Sequence, residues 1–168
     1  MLAWAEALLA PGGTIILIEP ALRETSRTSS SPRDGLLGRG LHVVAPCFWT
    51  GPCPALARER DWCHDAAPAG GRGRVDFSYL ILREGPRKEA EDGSVFRVVS
   101  DPMPDKGRLR LYGCGASGRH QLVRLDRHAS DMNAAFAELE RGDIARVEPA
   151  QSAGDGLRVT AESRVSRR

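Results

Sequence analysis

Lysine is nearly missing from this chain. Only Lys88 and Lys106 occur, so 22 of the 24 basic residues are arginines, set against 22 acidic residues. That balance excludes a strongly polycationic or polyanionic protein, and net charge alone gives no nucleic-acid or membrane signal. Arginine's planar fork suits phosphate contacts better than lysine's point charge, but an Arg-, Ala-, Gly- and Pro-rich surface is also what a GC-rich genome writes anywhere. Long apolar runs are missing too, and none approaches the ~18 residues of a membrane-spanning helix. The opening MLAWAEALLAPGG has no basic leader region, carries Glu6, and is broken by Pro11, Gly12 and Gly13. It reads as fold rather than as a targeting segment. The expectation is a soluble, cytoplasmic, bacterial-type chain with no membrane partner, whose thiols stay reduced.

Familiar catalytic signatures are absent as well. No Ser/His/Asp order and no Cys/His dyad is identifiable, and Cys63 and His64 are merely adjacent. Asp61, Asp65 and Asp76 have no spacing that argues paired acid and base work, so capping or solvation is their default role.

What is present is a cluster of cysteines. Cys47, Cys53 and Cys63 fall in the segment HVVAPCFWTGPCPALARERDWCH, which runs from His42 to His64, and Cys114 follows fifty residues later. Pro46, Pro52 and Pro54 flank the first two thiols. Proline removes amide donors and restricts the residue before it, so this stretch is expected to be a rigid loop, not a helix or strand. In a reducing compartment four thiols argue for metal binding or redox chemistry over disulfides. The spacing C-x5-C-x9-C-x50-C contains no C-x2-C pair of the zinc-finger kind. Four thiolates satisfy a tetrahedral zinc or a four-iron cluster equally well, and the irregular spread leans toward the wider cluster. His42 and His64 are the less economical ligands. The competing reading is four small buried hydrophobes, which free cysteines often are. Trp49 and Trp62 read as lids over the loop, with stacking on an RNA base as the alternative.

The order of elements predicts α/β. Leu2 to Ala10 forms a short helix, Thr14 to Ile18 a strand buried on both faces, Ala21 to Gly40 a helix weakened by Ser29, Ser30, Ser31 and Pro32, and His42 to Ala45 a second strand. Helix and strand alternation suggests a largely parallel sheet. Val75 to Arg83 is the most convincing strand and joins the same sheet. Gly85 to Gly93 reads as a solvated connection. Val95 to Ser100, Arg108 to Cys114 and Gln121 to Leu125 form a β meander, Ser130 to Arg141 a helix, Ile144 to Val147 and Leu157 to Thr160 short strands, and SRVSRR a frayed end. Glu19 ends a predicted parallel strand, where open α/β sheets bind ligands, although a surface or capping role serves it as well. No strand followed by a Gly-rich turn precedes Thr14, so the phosphate- or methyl-donor-binding opening of such a domain is not seen.

The segments LLAPGGTIILIEP, VVAPC, GPCP, DWCH and FSYLILR together resemble the C-terminal half of the methyltransferase-like family associated with small-ribosomal-subunit assembly, found in mitochondria and bacteria. The likeness covers Leu8 to about Cys114 and, more loosely, the helix with Arg141, Gly142 and Asp143. It implies the C-terminal part of a Rossmann-like methyltransferase fold over residues 1–83, including the cysteine loop 46–64, followed by a β-rich extension over 84–168. It implies a four-iron, four-sulfur cluster held by Cys47, Cys53, Cys63 and Cys114, with zinc as the alternative, and contact with the small subunit and its rRNA. Phe48-Trp49 and Asp65-Ala66 stand where the family usually carries other residues. The half that would bind S-adenosylmethionine is not in this sequence, so the expectation is an assembly factor, with an rRNA methyltransferase fragment or a zinc-stabilised interaction module as the other two readings.

Overall fold

The computed structural model describes residues 7–37, 39–49, 51–71, 73–85 and 92–168. Most of the helix expected over Leu2 to Ala10, Gly38 within the helix expected over Ala21 to Gly40, and most of the connection after Gly85 lie outside them. Two compact units divide the chain, Met1–Ala90 and Glu91–Arg168. Mixed α/β content is observed, with strands in the majority.

In the first unit, β1 (Thr14–Pro20), α1 (Arg23–Leu37) and β2 (Leu41–Ala45) are followed by β3 (Asp65–Pro68) and β4 (Arg74–Glu84). The sheet order is β1-β4-β2, with β3 also paired to β4. Every described ladder here is antiparallel, which corrects the expectation of a largely parallel sheet. The physical reason is the path of the chain. β1 and β2 do run the same way, with α1 crossing between them, but β4 comes back from the cysteine loop and takes the central position in the opposite direction. Alternation of helix and strand in a sequence carries no sign for such a late insertion.

One face of this sheet is packed. Ile15, Leu36, Leu41, Val43, Leu80 and Leu82 form its core beneath α1. The other face of β1 is not buried: Ile16 is 61% and Ile18 66% exposed against 7% for Ile15, so the strand read as covered on both faces is covered on one. Register places Ile16 opposite Ile81 and Ile18 opposite Tyr79, which with exposed Val75 gives the open face an apolar character.

Helix α1 is a continuous 15 residues despite Pro32 in its interior. The ring costs the backbone one hydrogen bond there, and the helix has few apolar residues with which to offset it. Its stability comes instead from buried polar side chains, Ser26 and Arg33, which bind the rest of the unit. Gly40, at φ +85°, turns the chain into β2 from a left-handed conformation that favours glycine.

The second unit is built on β5 (Val95–Val98), β6 (Met103–Asp105), β7 (Arg108–Gly115), β8 (Gly118–Leu125), β9 (Ile144–Glu148), β10 (Gln151–Ala153), β11 (Gly156–Val159) and β12 (Arg164–Arg167). They form one sheet in the order β10-β11-β8-β7-β5-β9-β12, with β6 beside β7. The predicted meander is its centre, β5-β7-β8, paired antiparallel throughout. Val159 of β11 and Val165 of β12, far apart in the strand order, reach the same core as Phe96, Leu111, Leu122 and Phe136, so the sheet is strongly curved around it. The segment expected as a helix is two 3-10 turns within Asp131–Ala137 that meet at a kink at Asn133, whose Oδ1 accepts the Ser130 N–H at 3.1 Å. The end is not frayed: β12 pairs with β9 from Arg164↔Glu148 to Arg167↔Ala145, because its alternating Val165 has a core to enter. Among the described residues no helix is long and apolar enough to cross a membrane.

Candidate metal-binding loop

Three thiols lie where β2 runs out and before β4 begins. Cys47 is half-buried just past β2, Cys53 is buried at the start of a 3-10 turn over Pro54–Leu56, and Cys63 is half-buried two residues before β3. The expectation of an irregular, proline-stiffened loop holds. Its chemistry creates a deficit: Pro46, Pro52 and Pro54 keep their carbonyls but bring no N–H, so the loop has more acceptors than its own donors can meet.

Helix α1 supplies the missing donors. Arg27 donates from Nη1 to the carbonyls of Ala55 at 3.1 Å, Arg58 at 2.9 Å and Asp61 at 2.7 Å, and from Nη2 to Leu56 at 3.4 Å. Arg33, only 2% exposed, donates to the Gly51 carbonyl at 2.8 Å and to that of Trp49, and it pairs with Asp34. The second carboxylate oxygen of Asp34 accepts the Cys53 N–H at 3.0 Å. At the far end Ser78 of β4 donates to the Cys63 carbonyl at 2.8 Å and contacts Ser26 of α1. Each stretch that carries or flanks a thiol is thus tied to α1 or β4 by a side chain.

Both tryptophans fold onto residues of the loop itself. Trp49 folds back so closely that a Cβ on Gly51 would lie 2.1 Å from its ring, and its Nε1 donates to the Pro52 carbonyl at 3.2 Å. Trp62 stacks on His64 with centroids 5.8 Å apart. His42 is buried in β2. Asp65 accepts the Ala66 N–H at 3.0 Å and Asp76 pairs with Arg74 at 3.1 Å, so both serve local structure, as expected of them.

Cys114 lies in the second unit, on β7, between Gly113 and Gly115. Both glycines are required by close packing: a Cβ on Gly113 would come 3.0 Å from Phe96 and Leu122, and one on Gly115 only 2.3 Å from the Val95 carbonyl oxygen. Register sets Cys114 opposite Arg97 on β5 and Arg119 on β8. Opposed side chains across antiparallel strands lie about 5 Å apart at Cβ, so Cys114 is flanked by two guanidinium-bearing residues. Arg119 also lies over the Tyr112 ring, 4.7 Å from its centroid.

The donor set suits a soft-metal group. Among the described residues no three His, Cys, Asp or Glu side chains converge as a single ion would require. Thiolates are soft donors that suit zinc and iron–sulfur groups alike.

Glu19 stands elsewhere. It lines a cavity of about 590 Å³ at the carboxyl end of β1, together with Leu17 and with Glu24, Thr25, Thr28 and Pro32 of α1. Sequence reasoning singled out Glu19 but missed Arg27, Arg33 and Asp34. The available signal was the proline count of the loop, which demands donors from outside it.

A family model described as mitochondrial small ribosomal subunit Rsm22 matches residues 2–145. None of the curated proteins matches the chain. The family match overturns the cytoplasmic, bacterial-type expectation and points to the mitochondrion. That expectation rested on the composition of the first residues, which carries no address by itself.

Proposed function

The chain belongs to the Rsm22 family of the mitochondrial small ribosomal subunit, and from that premise we propose that it is a small-subunit assembly factor in which Cys47, Cys53, Cys63 and Cys114 hold a four-iron, four-sulfur cluster and the arginine-rich surface meets rRNA. The association with the small subunit follows from the family. The observation that carries the cluster is the loop itself, where three thiols occupy a segment whose carbonyls are turned onto α1 by Arg27 and Arg33. Thiolate is the ligand such clusters take, and an irregular proline-rich loop is a frame they accept. When bound, the cluster would add covalent tethers to a loop otherwise held by hydrogen bonds alone. The open apolar face with Ile16, Ile18 and Val75 is of the kind that marks association with another layer or partner.

Protein purified without oxygen tests the reading. It should be brown, contain iron and acid-labile sulfide in near-equal amounts, and lose both in Cys114→Ser. Colourless protein with one zinc would sink the cluster and favour the zinc-stabilised module. Binding to small-subunit rRNA should weaken steeply with salt, since phosphate contacts release counterions.

A second reading, a part of an rRNA methyltransferase, is favoured by the cavity beside Glu19. It lies at the carboxyl end of β1, next to the helix that joins two strands running the same way, as in a Rossmann-like sheet. Transfer of a labelled methyl group from S-adenosylmethionine to small-subunit rRNA, lost in Glu19→Gln, would establish it.

A further inference from the structure

We infer that Arg27, Arg33 and Asp34 are positioning residues that give the thiol loop its ligand-ready shape before any cluster is present. The inference rests on the proposed cluster only for its purpose; the geometry stands without it.

Loops that a metal organises have few contacts of their own, and their backbone waits for the ion. This loop differs. Arg27 alone reaches four carbonyls spread over Ala55 to Asp61, Arg33 reaches Trp49 and Gly51, and Asp34 takes the Cys53 N–H. The contacts fall on both sides of Cys53 and lead toward Cys63, whose carbonyl is held by Ser78. None of them uses a sulfur atom. The peptide between the thiols is fixed from behind, by donors and acceptors on its backbone.

The arginine fork is central to this. A guanidinium offers five N–H donors in one plane and serves several carbonyls at once, where an ammonium is a compact charge with a different reach. Burial strengthens the argument for Arg33. Arg33 is 2% exposed and has no partner at Nε, so it depends on the carbonyls and the carboxylate that its Nη atoms meet, and the helix cannot keep its packing while the loop wanders. Pre-organisation of this kind lowers the entropy that cluster insertion must overcome.

The test uses the full chain, freed of metal by chelation, and follows amide hydrogen exchange of peptides covering residues 51–61. Cluster uptake is then measured anaerobically with ferrous iron and sulfide, from visible absorption. In the wild-type apo chain these amides should already be protected. Arg27→Ala should exchange about tenfold faster or more across the loop and take up the cluster correspondingly more slowly, with helix content retained by circular dichroism. Arg27→Lys should recover little of either, because charge without the fork does not reach the same carbonyls.

An apo loop that exchanges without protection, and gains it only with the cluster, would overturn the inference. So would an Arg27→Ala chain with an unaltered loop, or full rescue by Arg27→Lys. A wild-type chain that takes up no iron would overturn the proposed cluster instead, and the exchange of the apo loop would still decide the positioning role by itself. Asp34→Asn provides a second variant that keeps an acceptor for Cys53 N–H. It should leave that amide protected while relaxing the Trp49 to Gly51 stretch.

Discussion

Replacing Asp34 by alanine removes two things from one position: the partner of a nearly buried guanidinium and the acceptor of the Cys53 N–H. An exposed ion pair is worth at most about 1 kcal/mol, whereas stripping the partner from a fully buried one costs about 3–5 kcal/mol. This pair lies between those limits. Arg33 is 2% exposed and Asp34 35%, so water can replace one side of the carboxylate but cannot reach the guanidinium. The Cys53 N–H, left unmet in a half-buried loop, adds up to about 1–3 kcal/mol, and the two losses overlap because the loop relaxes once for both. Asp34→Ala should therefore destabilise the first unit by about 2–4 kcal/mol. Urea unfolding followed by tryptophan fluorescence reads it directly, since all three tryptophans, Trp4, Trp49 and Trp62, precede Ala90. Arg33→Met combined with Asp34→Ala should be milder than the sum of the single changes, because no buried charge is then left without a partner. A loss below about 1 kcal/mol for Asp34→Ala, or strict additivity in the double variant, would refute the account of α1 as a polar anchor.

Leu82 is fully buried under α1, and Leu82→Ala should cost about 2–5 kcal/mol by the same fluorescence assay, with the second unit unaffected by hydrogen exchange. Gly115→Ala would drive a methyl group into the Val95 carbonyl, so β5 and β7 must part; about 1–3 kcal/mol should be lost from the second unit, seen as faster exchange in β7. Asp92 is held below the usual carboxylate range, chiefly by the Ser94 hydroxyl and then by Arg146. Its contribution is present above the unfolded value of 3.8 and is lost as pH falls through the lower folded value, so Asp92→Asn should flatten the decline of melting temperature between pH 5 and pH 2.

The readable parts of this fold are those with strong local patterning. Val75 to Arg83 announces a strand by composition, and Val95 to Ser100, Arg108 to Cys114 and Gln121 to Leu125 alternate clearly enough to give the meander. Sheet direction was not legible, because β4 carries the same apolar pattern whether it runs with its neighbours or against them. Helix α1 was underestimated for a related reason. Its serines and Pro32 are poor helix formers, and what holds it is a set of polar contacts to a loop distant in sequence. Propensity counts neighbours along the chain and sees none of these. At the candidate site the loop character followed from the prolines. The anchoring arginines did not, since 22 arginines spread over the sequence give no means of telling a buried one from a surface one.

The central place of β4 sets an order of events during synthesis. β1 and β2 share no described ladder with each other; each is hydrogen-bonded to β4. A growing chain that has released α1 and the whole thiol segment still has no sheet on which to lay them, because the strand that joins the two others ends only at Glu84. Partners as far apart as Thr14 and Arg83 must meet before the ladder closes, a long-range pairing of the slow kind. Cys47, Cys53 and Cys63 thus leave the ribosome ahead of the strand that shelters their neighbourhood, and a delay at residues 74–84 would lengthen the interval in which they stand open to oxidation or to the wrong metal.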